Sequence, residues 1–205
     1  MIEHQRPGWL VKQRLFVQAL TISGKSQITD QGYYVLIRDS GNDERVQSDI
    51  REDCTVLAKS NYEKILGLRD VHPFEFNDIP KLLKHIRHGM PNNIIPIKVI
   101  LAIMEIEAWF IAEKSHFQQI HPLLTEKTVI NFLGFDPSSN DVETLPHPFE
   151  VLKSIYGLAG QFYTKKKISL ERTMDALDYD KIYLALKYDV NSLGRFISEI
   201  DEFLN

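Results

Sequence analysis

Three stretches of this chain set a run of apolar positions against a terminal acidic residue: Val35-Leu36-Ile37-Arg38-Asp39, Lys64-Ile65-Leu66-Gly67-Leu68-Arg69-Asp70, and Ile97 to Ile103 running on into Met104-Glu105-Ile106-Glu107. They recur about every thirty residues, and each is followed by a segment with helical spacing. A repeated order of strand, acid and helix predicts a parallel sheet with crossover helices. All three strands then run the same way, with their carboxyl ends along the crevice where such sheets bind ligands.

The flanking patterns fill in the rest. Leu10, Gln13, Arg14, Val17 and Leu20 share a spacing that predicts a helix from Leu10 to Leu20. Val46, Ile50, Cys54 and Leu57 give an apolar face to a helix from Glu44 to Ser60, opened by the loop chemistry of Ser40-Gly41-Asn42-Asp43. Asn77 or Asp78 suits an N-cap ahead of Pro80, and Ile79, Leu82, Leu83 and Ile86 form the buried stripe of a helix ended by Gly89 and Pro91. Helical spacing returns from Glu107 to Gln119 through Trp109, Phe110 and Phe117. Beyond His121, Pro122, Pro137, Pro146 and Pro148 punctuate two long loops, and three helices follow, Phe149 to Tyr156, Ser169 to Leu177 and Val190 to Leu204. The expected architecture is α/β: a mostly parallel sheet domain over residues 1–120, flanked by helices, with an appended helical C-terminal region over 121–205.

Composition narrows the classes of function. With 205 residues, 43% of them hydrophobic, the chain can bury a substantial core. A formal charge of -4 argues against a surface given over to nucleic acid, while leaving room for a local basic patch. Cys54 is the single cysteine, and no secretory signal opens the sequence, which predicts a reducing cytoplasm. The longest apolar run, Ile94 to Ile103, is interrupted by Pro96 and Lys98, so no membrane association is expected.

The candidate chemistry is acidic. Two carboxylates about 4 Å apart repel by roughly 4 kcal/mol at an effective dielectric of about 20, so acids gathered on one sheet edge need a cation, a proton or separation. Asp70 ends an apolar strand, and in an extended exit His72 points to the same side, where it can co-ligate a metal or act as a base on water. The plainer alternative is a strand-end cap beside an exposed imidazole. Glu105 and Glu107 share a face if the strand persists and diverge by about 200° if a helix starts at Glu105; Glu105 also suits a helix start. Asp39, with Asp43, is a further metal-ligand candidate in a segment whose composition is also that of a loop and cap. Lys165, Lys166 and Lys167, with Arg195 in the last helix, suit phosphate contacts or a solvated loop. There is no glycine-rich phosphate loop, Cys/His zinc site or serine elbow, and Cys54 falls on a buried helical face, which disfavours thiol catalysis.

Gly67-Leu68-Arg69-Asp70, the block Glu105-Ile106-Glu107-Ala108-Trp109-Phe110-Ile111-Ala112, and the later Tyr163-Thr164-Lys165 and Arg195-Phe196 occur in an order that resembles the domain of unknown function 4276 family, bacterial proteins with a Toprim-like core. The resemblance spans most of the chain from about residue 33 onward. It implies a parallel sheet whose acids bind magnesium, with the Asp-x-Asp position read here as Asp70-Val71-His72 and the first-strand glutamate falling on Glu3. It also implies a setting in bacterial phage defence beside an ATPase partner. Residues and resemblance together predict a nuclease-like phosphodiesterase dependent on magnesium or manganese, with Asp70 and Glu107 on the metal, Glu105 or His72 supporting it or orienting water, and Lys165 to Lys167 on the phosphate backbone of DNA or RNA. The alternative is a non-catalytic, degenerate Toprim-like module that docks a partner protein such as an ATPase.

Overall fold

A computed structural model describes residues 10–16, 19–25 and 33–204. The chain is mixed α/β and divides into two compact units, Met1–Arg45 and Val46–Asn205. The helical residues beyond 120 therefore fall in the same unit as the second and third of the expected strands.

In the first unit, β1 (Leu10–Phe16) lies between β2 (Ala19–Lys25), to which it is antiparallel, and β3 (Tyr33–Arg38), to which it is parallel. Two expectations are corrected here. The helix from Leu10 to Leu20 is instead a strand followed by the start of another. Its proposed stripe leaned on Gln13 and Arg14, whereas Leu20-Thr21-Ile22-Ser23 alternates with the period of a strand and pairs with β1. The three acid-ended strands also do not share one sheet: β3 pairs with β1, whereas β4 (Ile65–Asp70) pairs in parallel with β5 (Ile97–Ala102). After β3, Asp39 Oδ1 accepts the Gly41 N–H at 2.8 Å, and Asn42 Oδ1 accepts the Arg45 N–H at 3.0 Å, capping α1 (Asp43–Lys59).

Within the second unit, α1 approaches β4 over Gly67, where a Cβ would stand 2.9 Å from Ile50 Cδ1 and 3.2 Å from Val46. The helix α2 (Ile79–Arg87) carries Pro80 in its first turn as expected, although Asp78 occupies the N-cap position without a side-chain cap bond. Leu82 and Ile86 of α2 join Val71, Leu101 and Met104 in one apolar cluster. The single helix expected from Glu107 to Gln119 is two, α3 (Glu107–Ala112) and α4 (His116–Ile120). The long loops hold a further helix, α5 (Glu126–Leu133), capped by Thr125 and stopped by Gly134 at a φ of 79°.

The chain continues through α6 (Pro148–Gly157) and α7 (Lys167–Ala176), then a run of α8 (Tyr179–Lys181), a π turn over Ile182–Leu186 and α9 (Lys187–Asp189), before α10 (Asn191–Leu204). The start of α10 is held by side chains from a distant 3-10 turn: Asn140 Oδ1 accepts from Asn191 N–H at 3.2 Å and Glu143 Oε1 from Ser192 N–H at 2.9 Å. Lys64 and Lys98, at the starts of β4 and β5, both reach Glu199 of α10, at 2.8 and 3.3 Å. Among the described residues no helix is long and apolar enough to cross a membrane.

In α10, Gly194 lies against the start of α9: its absent Cβ would fall 2.2 Å from the Lys187 carbonyl oxygen. We expect Gly194→Ala to lower the urea midpoint at unchanged m-value. The forced backbone shift, about 1–3 kcal/mol for an overpacked position, outweighs the about 1 kcal/mol by which alanine favours a helix interior.

Candidate functional site

Asp70 and Ala102 end β4 and β5 as partners, and the pairing continues beyond both strands: Val71 N–H donates to Ala102 O at 3.1 Å and His72 N–H to Met104 O at 2.8 Å. The chain leaving β5 turns at once. Met104 takes a φ of 58°, in the left-handed region, and Glu105 N–H closes the turn on Ile103 O at 2.9 Å. That conformation costs a non-glycine residue about 1–2 kcal/mol. Burial of the Met104 side chain in the apolar cluster, about 1.5–3 kcal/mol, offsets it. The turn leads directly into α3, so Glu105 and Glu107 arrive at the end of the strands where Asp70 already stands.

Each of the three acids has one oxygen held by a fixed donor. Asp70 Oδ1 accepts from Ile106 N–H at 2.9 Å, at the start of α3. Glu105 Oε2 accepts from Phe149 N–H at 2.8 Å, in the first turn of α6, where the helix dipole also favours an anion. Glu107 Oε1 accepts from the Tyr163 hydroxyl at 3.1 Å. The three side chains then converge on one nitrogen: Lys165 Nζ lies 3.9 Å from Asp70 Oδ2, 3.5 Å from Glu105 Oε1 and 3.4 Å from Glu107 Oε1. The same ammonium sits 5.3 Å from the centre of the Phe149 ring.

The electrostatics of the cluster are uneven. Glu107 is only 1% exposed, and its Oε2 is buried without a hydrogen-bond partner. Burial pushes its carboxyl above the usual range, with Lys165 pulling the other way and Glu105 adding to the rise. Burial together with the charge of Glu107 raises the Tyr163 phenol, so it stays protonated and donating. For the Lys165 ammonium, partial burial works downward, but Glu107, Glu105 and Asp70 outweigh it and its value lies above the ordinary one. Half of the Lys165 side chain is open to solvent, so each Coulomb contact falls between about 1 and about 5 kcal/mol, the limits set by water and by an effective dielectric of about 20.

The remaining candidates stand elsewhere. His72 is exposed, its ring edge-on to His147 with centroids 6.1 Å apart; its backbone, through the bond to Met104, helps to set the turn. Asp39 belongs to the first unit as a turn residue. Glu3 lies outside the described residues. Lys166, Lys167 and Arg195 are exposed, with Lys167 Nζ 3.6 Å from Glu171 Oε1. Lys165 was expected on phosphate and lies among carboxylates instead. Tyr163 and the Phe149 N–H were not anticipated as supports for the acids, since both lie in segments far along the chain from Glu107 and Glu105.

A second buried polar group went unread in the sequence. Glu113, fully buried, accepts from the Ser115 N–H and hydroxyl on Oε1, and from His116 N–H (3.1 Å) and Asp178 N–H (3.2 Å) on Oε2. Burial lowers His116 to about 4, keeping it neutral. Its Nδ1 donates to the Glu113 carbonyl, and its Nε2 lies 3.4 Å from the Tyr156 hydroxyl, itself 2.9 Å from Thr173 Oγ1. With each Glu113 oxygen satisfied, this network ties α3, α4, α6 and α7 together.

Among the described residues, no group of three or more His, Cys, Asp or Glu side chains is drawn tightly enough to hold a metal ion as it stands; the acids here are spaced around an ammonium. As donors they fit a hard divalent cation, being all oxygen and including a buried carboxylate oxygen with no partner. No family model, curated protein or solved structure matches the chain.

The raised Glu107 sets a pH dependence. The folded protein binds this proton more tightly than the unfolded chain, whose value is near 4.5. Stability from the group is therefore complete below that value and is lost as pH rises through the folded one. We expect the urea midpoint of Glu107→Gln to gain on that of the native protein as pH rises from about 4 to about 8. A gap that stays constant across that range would mean that the buried carboxylate carries no penalty.

Proposed function

We propose that the second unit carries a phosphodiesterase site for nucleic acid that depends on a divalent cation. The observation that supports the reading best is the convergence of Asp70, Glu105 and Glu107 on a single cation position beyond the carboxyl ends of two parallel strands. Asp70, Glu105 and Glu107 would hold magnesium or manganese, which when bound supplies a Lewis acid for a phosphoryl oxygen and lowers the pKa of a bound water. Asp70 and Glu105 are aimed in advance, because the backbone N–H groups of Ile106 and Phe149 fix one oxygen of each. Tyr163 steadies Glu107. Lys166 and Lys167, exposed at the start of α7, engage backbone phosphates by charge without reading sequence. His72, exposed just past Asp70, is the candidate for orienting water. The Toprim-like resemblance belongs to this reading, and with it a setting in bacterial phage defence beside an ATPase partner.

A second reading rests on Lys165. An ammonium already among the acids makes the cluster a staple between the strand ends and the segment before α7, in a module that docks a partner protein without catalysis.

Incubating plasmid DNA and RNA with the protein in magnesium, manganese or chelator separates the two. Cleavage is expected with metal and not with chelator. It should fall in Asp70→Ala and Glu107→Ala by no less than the about 10–100-fold typical of groups that merely support a metal ligand. Cleavage indifferent to both substitutions removes the proposed site, and no cleavage with any metal moves the weight to the docking module.

A further inference from the structure

We infer that Lys165 and a divalent cation exchange at the acidic cluster: the ammonium is the resident counter-ion of the metal-free protein, and it leaves when metal enters. The inference rests on the metal-site reading above and adds to it how the site is loaded. Lys165 Nζ is 3.4–3.9 Å from one oxygen of each acid, a long, weak contact with each that is shared among all three. A hard cation needs those oxygens at about 2.0–2.6 Å, so the two occupants cannot share the position. The buried Oε2 of Glu107, without a partner while Lys165 is in place, is the donor that the ammonium leaves unused.

The surroundings allow the side chain to move while the backbone stays. Tyr163 is bonded to Glu107, Thr164 N–H to Ser169 Oγ at 3.0 Å, and Arg172 donates from Nη1 to Gln161 Oε1 at 3.3 Å and from Nη2 to the Phe162 carbonyl. The segment carrying Lys165 is thus tied on either side. Its four-carbon stem is half open to solvent, so a change of rotamer suffices to carry the ammonium out of the cluster. Outside, it joins Lys166 and Lys167 on an exposed basic tract. With Lys165 inside, the cluster keeps an excess of negative charge that repels phosphate; with metal inside and three lysines outside, the same rim attracts it. Metal loading would in this way prepare the surface for a polyanion as well as the site for chemistry.

Two measurements test the exchange. In calorimetric titration with manganese, Lys165→Met should bind at least about tenfold more tightly than the native protein, the ratio expected when an internal competitor fills roughly nine-tenths of the molecules. On the native protein, brief acetylation followed by peptide mass spectrometry should show Lys165 labelling rise several-fold, relative to Lys166, when manganese is added. Equal or weaker binding by the variant, or Lys165 labelling unmoved by manganese that binds, overturns the exchange and leaves the metal site standing. Absence of binding by both proteins removes the metal site and the exchange together. The labelling arm decides the matter if the variant does not fold.

Discussion

Charge balance at the ends of β4 and β5 is the constraint on which the second unit turns. Three carboxylates, from a strand end, a tight turn and the first residue of α3, meet in a partly dry place where a positive charge offsets their repulsion. The lysine that meets this need arrives from the segment before α7, and its neighbour Tyr163 reaches in beside it. Helix α6 is joined to the same point by Glu105. One electrostatic demand thereby draws together elements from both halves of the chain, and the helical residues after 120 complete the sheet unit.

Two buried glutamates a short distance apart show how architecture and chemistry differ. Glu113 has a donor for each oxygen, several of them backbone, and its burial is accounted for by the helix ends that it joins. Glu107 is as deeply buried but keeps one oxygen without a partner, next to a cation that solvent can reach. A fully satisfied group has no need of a ligand; an unsatisfied one has a cost that a ligand can relieve. That asymmetry, more than the number of acids, sets Glu107 apart from Glu113.

How much of this the chain disclosed depended on the range of the interactions. Asp70, Glu105 and Glu107 were legible because an apolar run that stops at an acid is a local pattern, and β4, β5, α1 and α2 follow from periodicity within single windows. The break between α3 and α4 was not legible, since its cause is Glu113 turning its side chain onto Ser115, His116 and the distant Asp178. The segment Leu10 to Leu20 reads as helix because Leu10, Val17 and Leu20 fit a stripe, while most of β2 and all of β3, with which β1 pairs, lie beyond that window. The role of Lys165 was hidden for the same reason: in sequence it is one of three successive lysines, and only the fold sets it apart from Lys166 and Lys167.

Met104 meets two demands that oppose one another. The turn asks for a residue at ease with positive φ, which glycine satisfies best, whereas the apolar cluster asks for bulk, which glycine lacks. Branching at the β-carbon would make the turn worse, so valine and isoleucine meet the second demand at the expense of the first. An unbranched, flexible thioether chain is among the few compromises. The position therefore has a narrow vocabulary under mutational drift, although its side chain belongs to the apolar cluster.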